Sequence, residues 1–180
     1  MLTKQLTAIR LVGLALISFM MTACESYKQQ PSLLLQTESG YVIPDGAQGI
    51  AIIRHPREAT LLQLRGMAGT GDVILKDSQH EKCLKIPIRF AAGDFGGRGI
   101  GTHQAKPVLL EIRSAQAAEI LADDKDIVSD QYRIGTDSSA DIVVLSGLAM
   151  SQGFVLNPGL SFMAEILGAR HQRVDCTVNT

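Results

Sequence analysis

The residues best suited to chemistry are concentrated between Ala91 and His103, where five glycines fall in the nine residues from Gly93 to Gly101. Glycine accepts positive φ angles and close approach, so such a loop can hold a phosphate through its backbone amides. In that case Arg98 and His103 would contact the anion. The predicted binding loop consists of Gly93, Gly96, Gly97, Arg98, Gly99 and Gly101.

The spacing of this stretch departs from the known phosphate-binding loops. Gly101-Thr102-His103 lacks the lysine of a P-loop. Thr102 also stands where a dinucleotide-binding loop has its third glycine, and Lys106-Pro107 then opens a predicted strand instead of a helix. This departure favours the alternative, a bulged or connecting segment that binds nothing.

Side chains for catalysis or metal binding are sparse. The four histidines show neither the i, i+4 nor the His-x-His spacing of zinc sites, so no metal or other cofactor is expected. There is no Gly-x-Ser-x-Gly nucleophile motif. Asp94 and His103 are the best remaining acid–base pair, and no catalytic set is predicted.

The first two dozen residues predict export. Lys4 and Arg10 precede an uncharged apolar run, Leu11 to Met21, which is followed by Thr22-Ala23-Cys24. A basic start, an apolar region of about 7–15 residues and a small-residue end are typical of a secretory signal peptide. The run is also shorter than the ~20 residues that span a bilayer.

Met21-Thr22-Ala23-Cys24 resembles the lipobox of bacterial lipoproteins, and the resemblance covers only this leader. It implies cleavage after residue 23 and acylation of both the thiol and the new amino terminus of Cys24. Two or more acyl chains would anchor the protein stably. An Asp directly after the cysteine would resemble an inner-membrane retention mark, but the residue there is Glu25. We therefore expect the protein to be anchored at the periplasmic face of the outer membrane. The alternatives are an ordinary signal peptide and an amino-terminal anchor helix.

With Cys24 lipidated, Cys83 and Cys176 are the cysteines that remain. An even pair in an oxidising compartment predicts one disulfide. Two separate buried thiols are the alternative.

Composition limits the classes of function. Cleavage of the first 23 of 180 residues leaves 157, enough for one domain with its own core. The formal net charge of −1 argues against nucleic acid as a partner. Aromatic residues make up 4% of the chain and tryptophan is absent, which argues against a sugar-binding face.

The chain after the leader divides into a predicted tether, residues 24–40, and a β-rich periplasmic domain, residues 41–180. The tether is mostly polar, with Pro31 and the apolar triplet Leu33 to Leu35, which we expect to pack on the protein's own body or on a partner. From Tyr41 onward, short apolar runs divided by turn residues predict strands. The predicted strands are Ile50–Arg54, Thr60–Arg65, Asp72–Lys76, Lys82–Phe90, Pro107–Arg113 and Asp141–Leu148, with a closing hairpin from Leu160 to Val178.

Two local signals refine this prediction. Pro87 lacks an amide proton, which places Lys82–Phe90 at a sheet edge or a bulge. Ser114 is suited to cap a short helix that ends at Ala122. The predicted fold is mainly β, a single antiparallel β-sandwich or partly open barrel with at most one or two short helices. An α+β fold is the alternative if Leu160–Leu167 is also helical.

The anchor, the tether and the missing catalytic set predict a non-catalytic binding or assembly component of a cell-envelope complex, held at the outer membrane with an envelope protein as partner. One alternative is an envelope enzyme acting on peptidoglycan, lipid or peptide, with Asp94 and His103 as its acid and base. Another is a carrier of a small apolar ligand.

Overall fold

The computed structural model describes residues 36–37, 40–77, 82–159 and 171–178. Within these residues the chain forms fourteen strands, one α-helix and a 3-10 helix, Ser129–Gln131. The strands are β1 Gln36–Thr37, β2 Gly40–Ile43, β3 Gly49–Ile53, β4 Arg57–Leu61, β5 Leu64–Leu75, β6 Cys83–Asp94, β7 Ile100–Gln104, β8 Val108–Ile112, β9 Ile127–Val128, β10 Ile134–Gly135, β11 Ile142–Ser146, β12 Gly153–Pro158, β13 Gln172–Val174 and β14 Cys176–Val178, and α1 is Ala115–Ala122.

A long antiparallel hairpin, β5 and β6, forms the spine of an 11-stranded sheet. The second half of β5 pairs with β3, which continues through β8 and β11 to β10. The first half of β5 pairs instead with β4, and β4 pairs with β7. Beyond β6 the sheet continues with β12 and β9, and β13 pairs with the start of β6. The sheet curls into a half-barrel.

Hydrophobic side chains fill both faces of the sheet. All five residues of β3 and all five of β8 are buried, as expected for central strands whose two faces are covered. On one face, α1 packs Ala117 and Leu121 into the larger core. On the other face, Tyr41 and Ile43 of β2 cover a smaller core. β2 belongs to a three-stranded sheet ordered β1-β2-β14, in which β14 runs parallel to β2.

The predicted helix begins where its cap signal lies. The Ser114 side chain accepts a hydrogen bond from the Ala117 amide at 3.3 Å, which satisfies one of the free donors of the first turn. The predictions of a mainly β half-open architecture and of this short helix are confirmed. None of the helices in the described ranges is long and apolar enough to cross a membrane.

Pro87 lies in a central strand, so its predicted edge position was wrong. β6 pairs with β5 from Leu84 to Asp94, and its other side pairs with β13 at one end and β12 at the other. Pro87 falls between these two partners, where the Pro87 carbonyl accepts a bond from the Gly159 amide at 2.9 Å. The missing amide proton therefore costs no ladder bond.

Other strand boundaries also differ from the prediction. Thr60–Arg65 is not one strand, because the chain turns back between β4 and β5 at Leu62 and Gln63. Of the predicted closing hairpin, residues 160–170 lie outside the described residues. The remainder is two short strands with different partners, β6 for β13 and β2 for β14. β1 pairs two residues of the predicted tether with β2, and Leu33 to Leu35 lie outside the described residues.

Candidate functional site

The glycine-rich stretch lies in one end of the main sheet, here called the arm. We define the arm as β4, β7, the first half of β5 and the second half of β6. The arm begins where β5 exchanges its partner β3 for β4. At that point Gly71 lies so close to β3 that an added Cβ would be 2.2 Å from the Ile52 carbonyl oxygen, so no larger residue fits without a shift.

The outer end of the arm, here called the tip, consists of residues 61–64 and 95–100, which are the β4–β5 turn, the β6–β7 loop and the strand residues Leu61, Leu64 and Ile100 beside them. Backbone hydrogen bonds join the turn to the loop. The Leu62 amide donates to the Gly99 carbonyl at 2.7 Å, and the Gly97 amide donates to the Gln63 carbonyl at 2.9 Å. A Cβ on Gly97 would be 2.3 Å from the Leu64 carbonyl oxygen, so the close contact requires glycine.

The tip exposes large apolar side chains to solvent. Five of the eight exposed large hydrophobic residues found in the described part of the chain lie there, between 51% and 84% exposed. They are Leu61, Leu62, Leu64, Phe95 and Ile100. Single exposed apolar residues are ordinary, but a contiguous group indicates an interaction site.

A salt bridge closes the base of the tip. The Arg65 guanidinium donates to the Asp94 carboxylate from Nε at 2.9 Å and from Nη2 at 2.5 Å. The Asp94 carboxylate also accepts from the Ser151 hydroxyl at 2.6 Å and from the Gly96 amide at 3.0 Å. These bonds, that from Arg65 foremost, hold the pKa of Asp94 well below its usual range. Asp94 thus joins β5, the β6–β7 loop and the β11–β12 connection.

The structure does not bring Asp94 and His103 together. Asp94 of β6 pairs with Arg65 of β5. Arg65 pairs with Thr60 of β4, and Thr60 pairs with Gly101 of β7. Three strand spacings of about 4.8 Å separate Asp94 from Gly101, and His103 lies two residues further along β7, so Asp94 and His103 are roughly 16 Å apart. The His103 imidazole faces Glu58 instead, with Nε2 at 3.7 Å from Oε1.

The residues of the predicted binding loop divide between strands and loop. Gly93 lies in β6 and Gly101 in β7, while Gly96, Gly97, Arg98 and Gly99 form the loop itself. Two of the loop amides, on Gly96 and Gly97, already donate within the protein. The backbone of the loop therefore bonds to the neighbouring turn, and these two amides are not free to bind a phosphate.

β7 forms an exposed edge of the arm. It pairs with β4 on one side, and no strand in the described ranges pairs with its other side. All five of its residues are exposed. No apolar pattern predicts this strand, since Gly101 and three polar residues follow Ile100.

The predicted disulfide is present between Cys83 and Cys176, with their Cα atoms 5.8 Å apart. It joins β6 to β14 and so ties the two sheets together. Beside it lies a groove of about 720 Å³, lined by Leu75, Leu84, the disulfide and one side of α1. Cys24 lies outside the described residues, and no group of three or more potential metal ligands occurs among the residues that are described.

Comparison with known proteins finds no matching family model, no matching curated protein and no matching solved structure.

Proposed function

We propose that this chain is an outer-membrane lipoprotein, anchored through acylated Cys24, whose arm binds a protein partner of a cell-envelope complex without catalysing a reaction. The observation that carries the binding role is the open edge of β7, where all five residues are exposed. The lipobox resemblance of Met21 to Cys24 supports the anchor.

An open edge presents unpaired N–H and C=O groups that accept a further strand. Proteins usually protect such edges with proline, lysine or a covering element, and β7 contains neither proline nor lysine. An extended segment of a partner can add to β7 through main-chain bonds, while its alternate side chains provide specificity.

The bonding of Asp94 favours a binding role over the enzyme alternative. A general acid or base must reach its substrate, whereas both Asp94 oxygens are engaged by Arg65, Ser151 and Gly96. The distance between Asp94 and His103 across the arm also separates the predicted acid–base pair.

A lipid anchor would favour such binding. Tethering to the membrane that also holds the partner raises the effective concentration of each for the other, so a short edge strand provides sufficient contact.

Crosslinking in intact cells tests this proposal. A photoreactive amino acid at Thr102 of β7 is expected to give one crosslinked band of defined mass, identified by mass spectrometry, since the partner strand lies beside it. The same group at exposed Gln131 in the 3-10 helix serves as the control and should give no such band.

The anchor is tested in the same experiment. Cys24→Ser should abolish labelling by a fatty-acid analogue and lower the Thr102 crosslink severalfold, because the effective concentration falls. Equal crosslinking from Thr102 and Gln131 would contradict the proposed binding role of β7. Undiminished fatty-acid labelling of the Cys24→Ser variant would contradict the proposal that Cys24 carries the lipid anchor.

A further inference from the structure

We infer that the tip inserts into the surface of a phospholipid bilayer. Its five exposed apolar side chains lie on the β4–β5 turn, the β6–β7 loop and the strand ends beside them. Apolar side chains exposed in this way can enter the boundary between headgroups and acyl chains, which is about 5–10 Å deep for interfacial elements.

Backbone bonds between the two segments of the tip lower the cost of placing them in a lipid environment. Inside a bilayer every buried N–H and C=O needs a partner within the protein. The bonds from Leu62 to Gly99 and from Gly97 to Gln63 provide such partners between two loops that would otherwise bond to water. The strand pairing of Leu61 with Leu64 continues this internal bonding.

Leu62 supports the same conclusion through its backbone. Its φ of 57° lies in the left-handed region, which disfavours a leucine. Its side chain is exposed, so core packing does not compensate for that cost. A strained, exposed leucine at the first position of a two-residue hairpin turn, where glycine is preferred, points to a function for the side chain itself.

The charges of the tip complement phospholipid headgroups. Residues 61–64 and 95–100 contain one charged side chain, Arg98, and no carboxylate. Arg98 is exposed, and no carboxylate among the described residues forms an ion pair with it. At the base, Arg65 neutralises Asp94. Arg98 can therefore reach a lipid phosphate while the apolar side chains enter the bilayer.

The proposed anchor and the first described strand are close in the sequence. Twelve residues lead from Cys24 to Gln36 and span at most about 40 Å. The insertion itself does not require the anchor, so a defined bilayer tests it separately from the proposed function.

A tryptophan reporter tests the insertion. The chain has no tryptophan, so Phe95→Trp introduces a single indole at the tip. The full chain is mixed with vesicles of phosphatidylethanolamine and phosphatidylglycerol, with or without brominated acyl chains. We expect a blue shift of the indole emission from the Phe95→Trp chain and at least twofold stronger quenching by the brominated lipid. Val178→Trp, an exposed apolar site on β14, is the matched control and should show neither change.

This design separates insertion from attachment through the leader, because each reporter senses only its own surroundings. Arg98→Glu in the Phe95→Trp chain should raise the lipid concentration for half-maximal quenching roughly tenfold or more, since it reverses the charge nearest the phosphates. Leu62→Gly should weaken quenching severalfold while the fold is retained. Equal quenching of the indoles in the Phe95→Trp and Val178→Trp chains would overturn the inference and leave a protein surface as the occupant of the tip.

Discussion

At the level of single residues, Asp94 shows how a side chain that looks catalytic is engaged by its surroundings. Arg65 is 29 residues away in the chain and Ser151 is 57 residues away, yet both bond to the same carboxylate. No local pattern in the sequence indicates such partners. What the sequence does show is an acid in a glycine-rich stretch, which is equally typical of a binding loop and of a structural turn.

We predict that Asp94→Asn lowers the free energy of unfolding by about 1.5–3 kcal/mol at neutral pH, the usual contribution of hydrogen bonds to a charged group. The folded-state pKa of Asp94 is depressed, so its stabilisation is present above the unfolded pKa of about 3.9. It is lost as pH falls through the lower folded-state value. Urea denaturation should therefore show the two proteins converging below about pH 4. A constant difference down to pH 2 would contradict this account.

At the level of elements, the tip depends on two turns that fit together closely. The strands of the tip could not be predicted from the sequence. β7 has no apolar alternation, and the end of β4 and the start of β5 together form one run, Thr60–Arg65, that resembles a single strand. Strand propensity depends on the neighbours that a strand pairs with, so a short exposed strand leaves little local signal. Leu62 and Gln63 also lack the Asn-Gly or Asp-Gly signal that usually marks a two-residue turn.

Gly97→Ala should open the tip, because its methyl group would meet the Leu64 carbonyl oxygen. Crowding of this kind typically costs ~1–3 kcal/mol. We expect faster hydrogen exchange at the Leu62 and Gly97 amides, measured by NMR or mass spectrometry. Gly101→Ala is the matched control, since its Cβ would lie 3.9 Å from the nearest atom, Thr60 Oγ1. If both variants exchange alike, the close contact at Gly97 does not hold the tip together.

At the level of the whole molecule, the disulfide connects parts of the chain that lie 93 residues apart. Cys83 falls on the polar side of the alternation within β6, yet it is buried. The reason is that the start of β6 is covered on both faces, by the larger core and by the small sheet. The alternation of apolar and polar residues in β6 predicts one buried face, and this prediction does not hold at the start of the strand.

Replacing both Cys83 and Cys176 with alanine should lower the free energy of unfolding by about 2–5 kcal/mol, because the bond restricts the unfolded chain over a long loop. Urea denaturation under non-reducing conditions measures the loss. Wild-type protein unfolded with a reductant should approach the double variant. A loss below ~1 kcal/mol would mean that the small sheet is held in place without the bond.

The sequence alone determined those features that depend on neighbouring residues. These are the buried strands with unbroken apolar runs, the Ser114 cap, and the pairing of Cys83 with Cys176 once Cys24 is set aside. Tertiary structure alone decided which strand edges stay open, which side chains surround Asp94 and which apolar residues remain at the surface. Those outcomes depend on contacts between distant parts of the chain. Leu61, Phe95 and Ile100 look like core residues until the arm places them in solvent.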